Sequence, residues 1–208
     1  LVHVLGHESS LDKVIDICQE RDIRLFEDTC ESIGSILNKK KLGTFGLASS
    51  FSFYYGHHMS TIEGGAVCSN CLDFIELVTS LRSHGWNRDL QTELSNKLKT
   101  KYSITDFRNL YSFYYPGFNF RPTEINAYLG CLQINILNKY CKRRFELFSN
   151  YKENLAEFWT QESNCEFLSA FAFGTLISNP EEVWEYLKSR NIESRPLICG
   201  SMGLQPFW

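Results

Sequence analysis

No apolar run in this chain approaches the roughly 18 residues that a membrane-spanning helix needs. The N-terminus also lacks the basic-then-apolar layout of a secretory leader. Lys and Arg are scattered rather than striped, and the net charge is −3, so a nucleic-acid partner is not expected. Cys68-Ser-Asn-Cys71 has C-x-x-C spacing, but no second Cys/His pair follows at zinc-site distance. No metal site is therefore expected. These absences lead to the expectation of a cytoplasmic protein that does not enter a membrane.

What is present is a globular composition, 43% hydrophobic over 208 residues, enough for one domain or two small ones. The eight cysteines read as buried, reduced thiols inside apolar patterns, with Cys18, Cys131, Cys141 and Cys199 as examples. The chain opens directly on an apolar run, Leu1–Leu5, and stops at Gln205-Pro-Phe-Trp208 without a visible closing element. That pattern is expected of part of a longer sequence.

The apolar periodicities alternate between strand and helix. A strand is predicted over Leu1–Leu5, then a helix with Leu11, Val14, Ile15 and Cys18 on one face and a Ser9-x-x-Asp12 capping box. Ile23–Phe26 reads as a strand ending at Glu27-Asp28. Leu47–Tyr54 and Gly64–Ser69 read as two more strands, and Leu72–Ser83 as a helix. This β-α-β rhythm implies an α/β fold with a parallel sheet, whose ligand chemistry sits at the carboxyl ends of its strands. Residues 86–112 are polar and read as an insertion loop. Thr123 should cap a long helix reaching about Trp159, with Ile125, Tyr128, Leu129, Leu132 and Ile136 on one face. A last helix should begin at Asn179-Pro180.

Three residue types stand where chemistry could use them: a carboxylate at a strand end (Asp28), a hydroxyl ahead of a turn (Ser52) and an imidazole beyond it (His57). Singly, each is as well explained by a loop cap or a structural side chain. The surrounding motifs sharpen the reading. Ser52-Phe-Tyr-Tyr-Gly-His-His-Met-Ser-Thr-Ile-Glu-Gly-Gly65 resembles the cofactor segment of the DegT/DnrJ/EryC1/StrS sugar aminotransferase family. Val2-His-Val-Leu-Gly6, Glu27-Asp-Thr-Cys-Glu-Ser32, Gly43-x-x-Gly46, Gly117-Phe-Asn-Phe-Arg-Pro-Thr-Glu124, Arg195-Pro196, Gly200 and Gln205-Pro206 resemble further family motifs in the same order.

The resemblance implies a fold-type I pyridoxal-phosphate (PLP) transferase. Residues 1–116 would be the latter part of the large cofactor domain, and 117–208 the long helix with part of the small domain. It implies that Asp28 pairs with the pyridine nitrogen, that Glu31 approaches the phenolic oxygen, and that Ser52 meets the phosphate, with Gly43-x-x-Gly46 on the approach to it. Asn119 would reach the phosphate of a neighbouring subunit in a homodimer. His84 and Arg195 are candidates for substrate contact.

One departure directs the functional expectation. The family's Schiff-base lysine lies five residues after the serine, and here that position is His57. An imidazole cannot make that bond but can move protons near neutral pH. This resembles the branch of sugar 3-dehydratases. These use the aminated cofactor (PMP), regenerate it from glutamate, and remove the C3 hydroxyl of a nucleotide-linked 4-keto sugar. The adjacent His58 is the competing candidate for the base, and the spacing from Ser52 and to Glu63 favours His57. One dehydratase subgroup carries an iron–sulfur cluster after its Arg-x-His-Gly region. No cysteine lies between Cys71 and Cys131, so the cluster-free type is expected. The alternatives are a 4-keto-sugar aminotransferase and a truncated, non-catalytic family member that pairs with a full-length subunit.

Overall fold

A computed structural model describes residues 1–197 and 202–208; Cys199 and Gly200, named above, lie outside these described residues. The run expected as a first strand makes only an isolated parallel bridge, Val2 with Asp28, and then a 3-10 turn over Val4–Gly6. The cause is local. Leu5 adopts a positive φ of 54°, and its amide donates to the Glu31 carboxylate at 2.7 Å instead of to a strand.

Helix α1 (Leu11–Glu20) turns Leu11, Val14, Ile15 and Cys18 inward, as the periodicity predicts. Its expected capping box does not form. The Ser9 hydroxyl donates to the Val2 carbonyl at 2.9 Å, and Ser10 occupies the cap position without a side-chain bond.

Strand β1 (Phe26–Asp28) is followed by an unforeseen hairpin, β2 (Ile36–Leu37) and β3 (Lys40–Lys41). Its two-residue turn places Asn38 and Lys39 at positive φ, the geometry that matches strand twist. Strand β4 (Ala48–Ser52) pairs parallel with β1, in the register Glu27 to Ser49 and Asp28 to Ser50. Strand β5 (Gly65–Ser69) pairs antiparallel with β4, so the sheet is mixed and not purely parallel. No crossover helix lies between residues 53 and 64, and without one the chain returns antiparallel.

Helix α2 (Leu72–Arg82) ends before the segment expected to be a loop. That segment instead holds helices α3 (Thr92–Lys101) and α4 (Asp106–Asn109). Polar side chains hold it: Ser95 Oγ donates to Asn87 Oδ1 (2.6 Å), Asn109 Nδ2 to Ser95 Oγ (3.2 Å) and Asn87 Nδ2 to the Asn109 carbonyl (3.1 Å). Leu98 is buried and Leu94 half-buried on α3, but a helix fastened also by polar side chains leaves only a short hydrophobic period to read.

Helix α5 (Glu124–Asn154) begins at Thr123 with a capping box completed by Asn126, and it stops short of Trp159. Cys131, expected as a buried thiol, is exposed on it, whereas Cys141 is buried. Helix α6 (Pro180–Ser189) starts with proline at its first turn, as its sequence indicates.

Among the described residues, two clusters of buried apolar side chains stand out. Leu11, Leu37 and Leu42 gather Ile15, Leu25 and Phe45, and Phe148, Leu168 and Ala170 gather Phe173. Cys165 packs against both. The 163–171 segment returns to the start of the chain. The Ile36 amide donates to the Phe167 carbonyl (2.8 Å), and the buried Glu8 carboxylate accepts from Ser163 Oγ (2.6 Å) and the Asn164 amide (2.8 Å). Among the described residues, no helix is long and apolar enough to cross a membrane.

Candidate active site

Alternation along β1 sends neighbouring carboxylates to opposite sides of the strand. Glu27 is fully buried and accepts from His3 Nε2 (3.0 Å) and from the amides of Gly43 (2.8 Å), Phe45 (2.7 Å) and Gly46 (2.7 Å). Burial alone would raise its pKa, but these donors outweigh it and hold the carboxyl below its ordinary value. Gly43 and Gly46, expected on the approach to a phosphate, therefore give their amides to this carboxylate. A Cβ on Gly46 would come within 2.6 Å of the Leu25 carbonyl oxygen.

Asp28 faces the other way, at the carboxyl end of β1. It accepts from the Cys30 amide at 3.1 Å and has no ion pair among the described residues. The Cys30 thiol beside it is pushed up to about 12, by burial first and then by the Asp28 carboxylate, so it stays a neutral thiol. Glu31, one turn on, is half-buried and engaged by the Leu5 amide.

Ser52 ends β4, opposite Gly65, and its Oγ accepts from the Tyr54 amide at 3.3 Å. The following turn closes with the His57 amide donating to the Tyr54 carbonyl (3.0 Å). The half-buried His57 ring lies 5.2 Å from the Phe171 ring and 6.0 Å from Tyr54, and its buried Nδ1 has no hydrogen-bond partner among the described residues. Its pKa is lowered, chiefly by burial. The Glu31 and Asp28 charges pull it up, and the Arg144 charge pushes it down. Asp28, Glu31 and His57 thus share one electrostatic neighbourhood.

His58 is different. It is buried, its Nε2 lies 2.8 Å from the Ser169 carbonyl, and burial with the Arg144 charge lowers its pKa to about 4. A ring so held is a structural part of the 169–171 contact.

A second group forms where α2 ends. Ser83 bridges to Asn119, and the His84 amide donates to the Phe118 carbonyl at 2.7 Å. Arg121 Nε donates to Asn119 Oδ1 (3.3 Å). The approach depends on paired glycines, because a Cβ on Gly117 would lie 2.3 Å from the Gly85 nitrogen. Among the described residues, no hydrogen bond joins this group to Asp28, Glu31 or His57. Arg195 is exposed, and its charge reaches the Tyr54 hydroxyl beside the His57 turn.

Arg144 and Phe171, which crowd His57, have no sequence signal of their own. Arg144 sits in a basic run of α5, and Phe171 in a short aromatic stretch far from any motif.

With this geometry in place, comparison with known proteins defines the class. The chain belongs to the DegT/DnrJ/EryC1/StrS aminotransferase family, whose profile matches residues 1–208. It is 32% identical to the GDP-4-keto-6-deoxy-D-mannose 3-dehydratase of Escherichia coli O55:H7 (strain CB9615 / EPEC), over 96% of this chain and 53% of that protein. Among solved structures it resembles E. coli GDP-4-keto-6-deoxy-D-mannose-3-dehydratase with bound hydrated PLP (TM-score 0.82, 31% identity, 97% of this chain and 53% of that one). It also resembles a mutant of GDP-4-keto-6-deoxymannose-3-dehydratase (ColD) with bound GDP-perosamine (TM-score 0.85, 30% identity, 97% and 53%). The chain spans about half the length of the curated relatives it matches. Its fold is that of these fold-type I proteins, of which it covers about half.

Proposed function

We propose that the protein containing this chain is a PLP/PMP-dependent nucleotide-sugar 3-dehydratase. It would remove the C3 hydroxyl of a nucleotide-linked 4-keto-6-deoxy sugar in deoxysugar or surface-polysaccharide synthesis. The observation that carries the reading is a half-buried histidine at position 57, where the family places its Schiff-base lysine, within reach of the Asp28 and Glu31 charges. The names of the relatives support it.

The residues present fit the cofactor. Asp28 carries no ion pair among the described residues and can take a protonated ring nitrogen, while His57 Nδ1 is a buried nitrogen without a partner. When bound, the aminated cofactor, regenerated from glutamate, supplies the amine that condenses with the 4-keto group and the electron sink for loss of the C3 hydroxyl. Asp28 would hold the ring nitrogen protonated, Glu31 would approach the phenolic oxygen, and Ser52 would donate to the phosphate. Asn119 does the same for a partner subunit's site. His57, whose pKa lies below 6.5, is neutral at pH 7. A neutral imidazole there would be able to accept a proton beside the bound cofactor and to return it to a leaving hydroxyl. His84 and Arg195 contact the substrate. The homodimer is supported by the exposed apolar residues on α5, and a cytoplasmic location by the free state of all seven described cysteines. We place the division between large and small domains at about residues 116/117.

Product analysis of the complete protein with PLP, glutamate and GDP-linked 4-keto-6-deoxymannose tests this reading. A 3-deoxy sugar is expected; an amino sugar would replace it with the aminotransferase reading. Asp28→Asn should abolish the cofactor's visible absorbance without changing the circular dichroism. His57→Lys should create a borohydride-trappable adduct. The same adduct in wild type would mean that a lysine elsewhere serves, with the Lys39–Lys41 segment on the exposed β2–β3 hairpin the first to examine.

A further inference from the structure

Phe171 is fastened from several sides, and its ring lies against His57. Its amide donates to the Leu5 carbonyl at 2.9 Å. Its carbonyl accepts from Arg144 Nη1 at 2.9 Å, and the same nitrogen reaches the Ala170 carbonyl at 3.3 Å. The Arg144 guanidinium also lies 5.8 Å from the centre of the Phe171 ring. The neighbouring Ser169 amide donates to Ser35 Oγ (3.0 Å), and its carbonyl contacts His58 Nε2. Leu5 ties the arrangement to the acid side of the site. Its amide holds Glu31 while its carbonyl holds Phe171, and the positive φ at Leu5 is the backbone cost of doing both.

Arg144 is half-buried and makes no ion pair among the described residues. A desolvated guanidinium spent on two carbonyls and a ring face is an expensive way to hold one loop unless that loop must not move. Among the described residues, the candidate catalytic side chain that the loop touches is the His57 imidazole at 5.2 Å.

We infer that Phe171, clamped by Arg144 and Leu5, is a positioning residue for His57: its ring covers one side of the imidazole, fixes its rotation and keeps water from it. The groups that act on His57 are Glu31 and Asp28 on the β1 side, Arg144 on α5 and the adjacent His58. Of these, His58 lies 6.4 Å from the covering ring, and Arg144 both faces that ring and holds its backbone carbonyl. The inference rests on the reading of His57 as the acid/base, but its first test does not need the reaction.

That test is titration of ring-labelled histidines by NMR in the full protein without cofactor, with the His57 signal assigned from His57→Asn. Wild-type His57 should titrate below 6.5, and Phe171→Leu should move it up towards 6.5 by re-exposing the ring to water. Phe171→Tyr, which keeps the ring, should leave it in place. Arg144→Gln should move it in the same direction as Phe171→Leu, because it removes both a nearby positive charge and the clamp. An unmoved titration in a Phe171→Leu protein with wild-type circular dichroism overturns the inference.

The second readout is kinetic. Phe171→Leu should lower kcat about tenfold to a hundredfold by misplacing the base, with the sugar KM changed by no more than about twofold and activity restored in Phe171→Tyr. If no 3-deoxy product forms but the titration shifts, the clamp stands and the dehydratase reading falls. If dehydration proceeds while neither readout responds to Phe171→Leu, the reading stands and the clamp falls.

Discussion

The two halves of α5 lie in opposite surroundings. Towards its C-terminus, Cys141 and Phe148 are buried, and Arg144 grips residues 170 and 171. Towards its N-terminus, Ile125, Tyr128 and Leu132 are 70%, 65% and 51% exposed. The apolar stripe expected along the first half is present in the sequence, yet among the described residues only Leu129 of it is half-buried, and Ile125, Tyr128, Leu132 and Ile136 stay exposed. One continuous helix therefore serves the chain's own core at one end and presents an apolar face at the other. The candidate site lies with the packed end, where His57, His58 and Phe171 meet.

If that contrast is right, substitutions should cost most at the packed end and least at the exposed one. Phe148→Ala empties a buried ring site beside Leu168 and Ala170 and should destabilise by about 3–5 kcal/mol, read from urea denaturation. A loss below about 1 kcal/mol would mean this end is looser than it looks.

The next effect is pH-dependent. His58 titrates at about 4 when folded and near 6.5 when unfolded, so the unfolded chain takes up the proton first as pH falls. Stability should therefore drop by about 1.4 kcal/mol per pH unit from 6.5 down to about 4, and level off below. His58→Asn should be less stable at neutral pH, with a shallower pH slope. Equal slopes for the two proteins would contradict a buried neutral His58.

At the helix start, Thr123→Ala removes the reciprocal cap with Asn126 and should cost about 1 kcal/mol. Smallest of all, Ile125→Ser with Leu132→Ser should move the denaturation midpoint of dilute protein by no more than about 0.5 kcal/mol. The same pair should weaken self-association in sedimentation if this face pairs with a second subunit. A large loss of stability in the dilute protein would show that the face is covered by the chain itself.

The legibility of the molecule follows the same division. Elements with an apolar period could be read directly, including α1 through Leu11, Val14, Ile15 and Cys18, and the start of α6 through its proline. The pair α3 and α4 could not, because the amides of Asn87 and Asn109 with the Ser95 hydroxyl share the work of holding it with only the short Leu94–Leu98 apolar pair. Thr123 was legible as a cap because its partner lies three residues away. The supposed box at Ser9 failed because its hydroxyl went to Val2. At the site, Asp28, Glu31, Ser52 and His57 stood out by motif, whereas Arg144 and Phe171 reach His57 from far along the chain.

Local chemistry was determined by the sequence alone: which residues can hold charge, where a lysine gives way to histidine, and which segments can coil or extend. Side-chain type and short-range spacing are enough for that. The tertiary structure alone decided how each group is used. It turned two glycine amides towards Glu27, made β5 run antiparallel, buried His58 while leaving His57 half-open, and brought Phe171 and Arg144 against it. Those outcomes depend on desolvation and on contacts between residues from about sixteen to more than a hundred positions apart, and no local pattern encodes either.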